Sequence, residues 1–350
     1  MTRILIPIWL LLFCVYMFFL NANNAVTYTL NGGRFGDNLI SCSQAYWIHY
    51  TYGLPLLFQP FTYSEQLHIH YQYPHFNEQE RKKFNKFVYI KPNTPINTDN
   101  QKSTLYITTF KQDPGVDWSN QQFLQTFKQA ISLVQKDSNI QQISSTTHSI
   151  AMHIRRGGSF AYDKKMHTVV PQQFPSLEFY SQSLQLLLHH LDGICTVYLF
   201  TDDSHPKSLA KQLYKTLSAP DKKRVTFIYR KKNNSHAANV LTDFFSMMHC
   251  KYLIRPCSHF SLFVEQLGNA IVSIYPAKTY AIKKGWGYVT HMGITIFVEG
   301  ASYEQIVHIE NLKTNKNISI LQNNELKSAM HHAHYHIKNK QLKPNLPPCY

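Results

Sequence analysis

The second half of the chain alternates short apolar segments with longer amphipathic ones. In chain order we predict strands at Ser149–Ile154, Thr196–Phe200, Val225–Tyr229, Tyr252–Ile254 and Ala270–Tyr275, and helices at Phe179–His190, Lys207–Leu217, Val240–His249 and Ser258–Leu267. Strands that alternate with helices are typical of a parallel sheet covered by helices on both faces. Ligands of such sheets bind beyond the carboxyl ends of the strands, where this sequence places its polar residues.

The first half shows a less regular pattern. We predict strands at Tyr28–Leu30 and Leu105–Phe110, helices at Leu39–Tyr50 and Asn120–Gln135, and irregular surface structure over residues 60–100. A glycine turn at residues 31–38 lies between the first strand and the first helix. Such a turn is a backbone site for an anion or a sugar hydroxyl, although its spacing is not that of the dinucleotide fingerprint.

The first 25 residues form a distinct segment. Arg3 precedes an apolar run, Ile4–Leu20, which as a helix would span roughly 26 Å against a hydrocarbon core of ~30 Å. This order is typical of a secretory signal, with cleavage after Ala22 or Ala25. The alternative is an uncleaved anchor whose amino terminus stays in the cytosol together with Arg3. Either one predicts an exported protein or one anchored in a membrane through residues 4–20.

Composition narrows the class of protein. A hydrophobic fraction of 44%, with 13 Gly and 16 Pro, excludes a disordered, collagen-like or low-complexity chain. The formal net charge of +15 suits an anionic partner, which could be nucleic acid, a membrane surface or a phosphorylated small molecule. The cysteines lack the spacing of a zinc site, and we predict that Cys250 and Cys257 are buried free thiols.

A pair of arginines is the clearest chemical feature. Arg155 and Arg156 directly follow the strand Ser149–Ile154 and are themselves followed by two glycines. Guanidinium groups form bidentate pairs with phosphate oxygens, and glycine lets a ligand approach the backbone, so this segment suits a diphosphate. The alternative is a solvated basic turn, but the position at a strand end favours a site.

Three other polar positions allow two interpretations each. Asp202 and Asp203 could bind a divalent metal, or cap the helix that begins near Pro206. Asp243 is either a binding residue or an exposed acid in the first turn of its helix. Ser258 is either a phosphate ligand at a helix start or a plain N-cap.

The order of these motifs resembles that of the metal-independent fucosyltransferases that use GDP-fucose, most closely the alpha-1,2 family and its alpha-1,6 and protein O-fucosyltransferase relatives. The resemblance covers residues of about 30 to 280. It rests on Gly33–Asn38 (Gly-Arg-Phe-Gly-Asp-Asn), His153–Gly157 (His-Ile-Arg-Arg-Gly), Phe200–Asp203, Asp243–Lys251 and Ser258–Ser261. In that family the fold is GT-B, an α/β fold with two Rossmann-like domains of parallel sheets that face each other across a cleft.

We divide the chain into four segments. Its pattern and composition give a signal or anchor at 1–25 and a polar His/Lys-rich segment at 301–350, and the resemblance implies an acceptor-side domain at 26–147 and a donor domain at 148–300. The resemblance also implies roles for single residues. Arg155 and Arg156 are the expected catalytic residues, and the expected donor-binding residues are His153, Arg155, Arg156, Asp202, Asp243, Ser258 and Ser261. Gly33, Arg34 and Asn38 are expected on the acceptor side.

The implied activity is inverting transfer of fucose from GDP-fucose to a glycan hydroxyl, without a metal or another cofactor. The carboxylate of Asp243 can accept from N1–H and the 2-amino group of guanine together, which favours GDP. Two arginines can stabilise the charge on the departing GDP. No residue in the sequence identifies itself as the base that inversion calls for.

Two departures from the family pattern keep an alternative open. Gly158 stands where the family usually has an acid, and His259 stands where it has a threonine. The chain could therefore be a non-catalytic glycan- or nucleotide-binding protein that retains the fold. A less favoured alternative is a metal-binding protein that uses the histidine-rich tail, His331–His336. Scattered lysines and the lack of a recognition motif argue against nucleic acid.

Overall fold

The computed structural model describes residues 24–92, 94–98, 103–110, 112–141, 143, 147–156, 172–283, 286–298 and 305–309. Internal packing divides the chain into two compact units, residues 1–117 with 125–135 and residues 118–124 with 136–350. Both units are built on parallel strands, so the predicted α/β class is confirmed.

The first unit contains a three-stranded parallel sheet. Its strands are β1 (Asn24–Tyr28), β2 (Lys86–Tyr89) and β3 (Thr104–Thr108), in the order β1-β3-β2. Strand β2 lies within residues 60–100, where we predicted irregular structure. It was missed because it lies at an edge of the sheet, where Phe87 and Tyr89 remain 41% and 57% exposed and give no buried apolar run.

Strand β1 is fully buried and begins earlier than the predicted strand at Tyr28–Leu30. Asn24 is already part of it, and its Oδ1 accepts from the backbone N–H of Thr104 at 3.0 Å. Cleavage after Ala25 would remove the first two residues of this strand, whereas cleavage after Ala22 would leave it whole. The apolar run at residues 4–20 lies outside the described residues. In the described part, no helix is both long enough and apolar enough to cross a membrane.

Helix α1 (Phe35–Tyr52) follows β1 and ends at Gly53, whose φ of 68° is the left-handed conformation that glycine adopts without strain. The remaining helices of the first half are a 3₁₀ turn at Ser64–Gln66, α2 (Ile69–Gln72), α3 (Glu78–Arg81) and α4 (Gln121–Ala130). Helix α4 ends five residues before the predicted end at Gln135.

The second unit contains a seven-stranded sheet with the order β10-β9-β8-β7-β4-β5-β6. Its strands are β4 (His148–Ile154), β5 (Cys195–Thr201), β6 (Val225–Tyr229), β7 (Tyr252–Ile254), β8 (Val272–Lys283), β9 (Trp286–Val298) and β10 (Gln305–Ile309). Neighbours from β8 to β6 pair in parallel, as predicted, whereas β9 and β10 extend the sheet in antiparallel fashion and were not predicted. Strand β10 falls within the segment 301–350, which we predicted to be a polar tail.

Helices cover both faces of the second sheet. They are α5 (Leu177–His190), α6 (Pro206–Thr216), α7 (Ala219–Arg224), α8 (Val240–Met248) and α9 (His259–Leu267). Ile150 and Met152 of β4 join a core formed with α5 and α6. Successive side chains of a strand point to opposite faces of the sheet, so His153 lies on the other face, against Phe260 of α9. Described cysteines are buried and free, including Cys250 and Cys257, as predicted.

Candidate functional site

The order of the strands in the second unit places a crevice between two of them. From β4 the chain moves to β5 and β6 on one side, then returns to β7 on the other side of β4 and continues to β8. Ligands of open parallel sheets bind where the strand order reverses in this way, outside the carboxyl ends. Met152 of β4 pairs with Ile254 of β7, so both strands end close to the same level. The structure thus places Arg155, Arg156 and the segment 255–258 at the carboxyl ends of β4 and β7, where the sequence predicted a ligand site.

Both arginines are anchored by groups around them. The guanidinium of Arg155 lies 4.9 Å from the centre of the Phe174 ring. The backbone N–H of Arg156 donates to Oδ1 of Asp202 at 2.6 Å, which joins the ends of β4 and β5. Within the described residues, Nε of Arg156 is buried and has no hydrogen-bond partner. Asp202 therefore holds the arginine segment in place at the strand ends.

Asp203 forms a turn just before α6 and does not cap the helix, because the N-cap residue is His205 and that cap has no side-chain hydrogen bond. Oδ1 of Asp203 accepts from the backbone N–H of His205 at 2.7 Å, and its own N–H donates to Oγ1 of Thr201 at 3.1 Å. Both carboxylates thus accept from backbone N–H groups, Asp202 from that of Arg156 and Asp203 from that of His205. The described residues contain no group of three metal-ligating side chains, while the histidine-rich tail and Gly158 lie outside them.

Tyr180 on α5 is buried next to the arginine segment and was not predicted as part of the site. Burial raises the pKa of Tyr180 far above its ordinary value, although the nearby charge of Arg156 acts in the opposite direction. Its phenol therefore stays neutral across the physiological range. Nothing at sequence level distinguishes it from a core tyrosine of an amphipathic helix.

Asp243 lies in the first turn of α8 and is paired with Arg230. The guanidinium of Arg230 spans both carboxylate oxygens, with contacts of 2.5 Å to Oδ1 and 3.2 Å to Oδ2. The side chain of Asp243 is 15% exposed, so the interpretation as an exposed first-turn acid is wrong. Burial raises the pKa of Asp243, and the hydrogen bonds and charge of Arg230 lower it in opposition.

Arg230 is a site residue that sequence reasoning missed, although a usable signal was present. It directly follows Tyr229, the last residue of β6, which is the same strand-end position that singled out Arg155.

The ring of His153 lies 5.5 Å from Phe260, and Phe260 lies 5.5 Å from Phe244. His153 is therefore packed against aromatic side chains of α8 and α9.

The two serines at the start of α9 differ in accessibility. Ser258 is the N-cap residue, yet its side chain makes no capping hydrogen bond, so it does not behave as a plain N-cap. Ser261 is fully buried, and its hydroxyl donates to the backbone carbonyl of Ser258 at 3.4 Å. Of these two serines, Ser258 is partly exposed and Ser261 is buried.

A buried ion pair fixes the loop that carries Ser258. Nε of Arg255 lies 2.7 Å from Oε2 of Glu265 on α9, and the two side chains are 1% and 2% exposed. The guanidinium of Arg255 also lies 4.3 Å from the centre of the Tyr275 ring on β8, and it donates to the carbonyl of Pro256. Arg255 thereby connects β7, β8 and α9 beneath the loop that carries Ser258. Its position in the sequence did not indicate this structural contribution.

The predicted acceptor-side residues form a compact turn in the first unit. The backbone N–H of Gly33 donates to Oδ1 of Asn31 at 2.8 Å, and Nδ2 of Asn38 donates to the carbonyl of Gly33 at 3.3 Å. Asp37 accepts from the N–H of Arg34 at 3.1 Å, which closes the start of α1. A Cβ atom on Gly33 would lie 2.5 Å from Cβ of Asp37, so the close approach requires glycine here.

Comparison with known proteins gives similarity at the level of whole structures. No protein-family model and no curated protein matches the sequence. FUT1 from Arabidopsis thaliana, solved in complex with GDP, is 8% identical with a TM-score of 0.46, over 76% of this chain and 74% of that chain. The fucosyltransferase NodZ from Bradyrhizobium is 15% identical with a TM-score of 0.45, over 79% of this chain and 99% of that chain.

A third solved structure is E. coli ADP-heptose LPS heptosyltransferase II. It is 9% identical with a TM-score of 0.33, over 70% of this chain and 82% of that chain. These TM-scores are low, so the residues of the site, rather than these similarities, support the functional proposal below.

Proposed function

We propose that the protein is an inverting, metal-independent glycosyltransferase of the alpha-1,2-fucosyltransferase type, with the two units as the two domains of a GT-B fold. It transfers fucose from GDP-fucose to a hydroxyl of a glycan. The observation that supports this most is the position of Arg155 and Arg156 at the point of strand reversal, beside the start of α9. A diphosphate in this crevice would meet two guanidinium groups and the exposed N–H groups of a helix terminus.

The proposed chemistry is stabilisation of the leaving group. As the bond between fucose and GDP breaks, negative charge grows on the diphosphate. Arg155 and Arg156 neutralise this charge. Phe174 already holds the guanidinium of Arg155, and Asp202 holds the backbone of Arg156, so little reorganisation of this segment is needed during the reaction. Ser258 adds a hydroxyl donor at the same end of the crevice.

The base of the nucleotide is proposed to contact His153 and Asp243. A carboxylate that is ionised accepts from N1–H and the 2-amino group of guanine at once. Arg230 supports this function because its bidentate contact orients Asp243 and opposes the effect of burial on its pKa. Each carboxylate oxygen has two lone pairs, so pairing with Arg230 leaves room for guanine.

Titration calorimetry of the whole protein with GDP, with and without EDTA, tests the proposal. We expect binding that EDTA does not change. Failure to bind GDP would refute the proposal, and binding that EDTA abolishes would refute its metal-independent form.

A second candidate is a non-catalytic binding protein that retains the donor site, which Gly158 in place of the family acid favours. Incubation with radiolabelled GDP-fucose and a panel of oligosaccharides separates the two candidates. Binding of GDP without transfer to any acceptor, and without slow hydrolysis of the donor, would favour the binding protein.

Base recognition gives a prediction of its own. Asp243→Asn should weaken GDP binding by ~10- to 100-fold, because hydrogen bonds to a charged group contribute about 1.5–3 kcal/mol. ADP lacks the N1–H and 2-amino donors, so its weak binding should hardly change and the preference for GDP should shrink. Burial raises the pKa of Asp243. As the pH is lowered, Asp243 should therefore become protonated, and GDP affinity should fall, at a higher pH than an exposed aspartate would give.

Arg230→Lys is the matched variant, because it keeps the charge beside Asp243 and removes the bidentate geometry; we expect a smaller loss for GDP. Competition titrations of both nucleotides with each variant measure the preference. An equal loss for GDP and ADP would mean a general structural effect, and an unchanged preference would place the base elsewhere.

A further inference from the structure

The first unit has a pocket of its own at the carboxyl ends of its three strands. The pocket has a volume of about 560 Å³. Residues directly beyond each strand contribute to its walls: Thr29 and Asn31 after β1, Tyr89 and Lys91 at the end of β2, and Phe110 and Gln112 after β3. This edge of a parallel sheet is where such sheets bind ligands, and the proposed donor site in the second unit uses none of these residues.

The backbone around the pocket is already hydrogen-bonded. The N–H of Thr29 donates to the carbonyl of Thr108 at 3.0 Å, and the N–H of Gln112 donates to the carbonyl of Thr109 at 3.0 Å. On the third side, the N–H of Lys91 donates to Oγ1 of Thr94 at 2.7 Å. Each wall is thus fixed before a ligand arrives, as in binding sites that are largely preformed.

The side chains of the pocket combine an aromatic surface with neutral polar groups. Tyr89 is 57% exposed, which leaves much of its ring available to a ligand. Asn31 and Gln112 carry amides, and Thr29 carries a hydroxyl, so each can both donate and accept. Sugar rings have a C–H face that packs against aromatic rings and hydroxyl groups that bond to amides. The pocket chemistry therefore matches a carbohydrate.

The low charge of the pocket also favours a carbohydrate ligand. Lys91 is the single charged side chain among the lining residues that the structure describes. A nucleotide diphosphate calls for more cations, as the Arg155 crevice offers. A neutral sugar, or one with a single acidic group, needs no more than this pocket supplies.

We propose that this pocket binds one sugar ring of a glycan, with Tyr89 as the surface on which the ring stacks. Under the proposed function, on which this assignment of the ligand rests, the glycan is the acceptor and the pocket determines which acceptors are held. Binding here should not require the donor, because the pocket shares no residue with the proposed donor site.

Saturation-transfer NMR with the whole protein tests the pocket, using lactose, N-acetyllactosamine, chitotetraose and xyloglucan oligosaccharides as probes. We expect at least one probe to bind, and Tyr89→Ala to weaken that binding by ~10-fold or more through loss of the aromatic contact. Tyr89→Phe keeps the ring and should bind as the wild type does. Gln112→Ala, on another strand, should weaken binding less.

Tyr71→Ala is the matched control, because Tyr71 is a tyrosine of the same unit that is 67% exposed and lies outside the pocket lining. It should leave binding unchanged. Binding of none of the probes, equal binding by Tyr89→Ala, or displacement of the bound sugar by GDP would each overturn the proposal. Calorimetry with GDP separates the sugar-pocket proposal from the proposed function. Tyr89→Ala should bind GDP as the wild type does. If the wild type bound sugar through Tyr89 but did not bind GDP, only the proposed function would be refuted.

Discussion

Arg155→Ala should lower the affinity for GDP by at least ~100-fold and abolish transfer of fucose. The guanidinium can form two charge-assisted hydrogen bonds to the diphosphate, each contributing about 1.5–3 kcal/mol, and a total of about 3–6 kcal/mol corresponds to roughly 10²- to 10⁴-fold. Calorimetry with GDP and a transfer assay on the same preparations measure both effects. Far-UV circular dichroism should show that the variant is folded.

Two further variants sharpen this prediction. Arg155→Lys keeps the charge but loses bidentate geometry, so its GDP affinity should lie between that of the wild type and that of Arg155→Ala. Arg81→Ala removes an exposed arginine of the first unit, whose contact with Glu78 is 3.4 Å, and should not change GDP binding. If Arg155→Ala bound GDP as well as Arg81→Ala does, the crevice at the end of β4 would not be the diphosphate site.

Glu265→Ala should lower the free energy of unfolding by about 3–5 kcal/mol, because it leaves the charge of Arg255 buried without its carboxylate. Urea denaturation followed by circular dichroism and by fluorescence measures the loss. Glu80→Ala is the matched control: it breaks the contact between Glu80 and Lys83, whose side chains are 24% and 61% exposed. Exposed pairs contribute less than about 1 kcal/mol.

A double variant distinguishes two causes of a lower stability in Glu265→Ala, namely a buried unpaired charge and the loss of packing. Arg255→Met combined with Glu265→Leu removes both charges and fills the space with apolar groups, so stability should return close to that of the wild type. A double variant as unstable as Glu265→Ala would show that the polar contacts of Arg255, rather than the unpaired charge, support the loop before Ser258.

The strands of the second sheet could be predicted because burial on both faces leaves a continuous apolar run in the sequence. Edge strand β2 could not, since Phe87 and Tyr89 are exposed and resemble surface residues. The antiparallel strands β9 and β10 were missed because the alternation of strands and helices that signals a parallel sheet stops after β8. Helix boundaries differed by a few residues where caps, rather than periodicity, end the helix.

The candidate site was predictable to the extent that it depends on strand ends. Position after a strand predicted that Arg155, Arg156 and Asp202 lie together at the sheet edge, which is where the structure places them. The partners of these residues depend on tertiary contacts: Arg230 meets Asp243 thirteen positions along the chain, and Arg255 meets Glu265 ten positions along it. Pairings of this kind follow from the angle between a strand and the next helix, which a single sequence does not specify.

The early start of β1 has a consequence for orientation. Three residues, 21–23, separate the apolar run from Asn24, and four peptide steps reach at most about 14 Å. If the run stays in a bilayer, the amino end of β1 must therefore lie next to the lipid headgroups. The five residues of β1 span up to about 16 Å, so the pocket at its carboxyl end would lie within about 30 Å of that surface. A glycan would then have to come within this distance of the membrane to reach Tyr89.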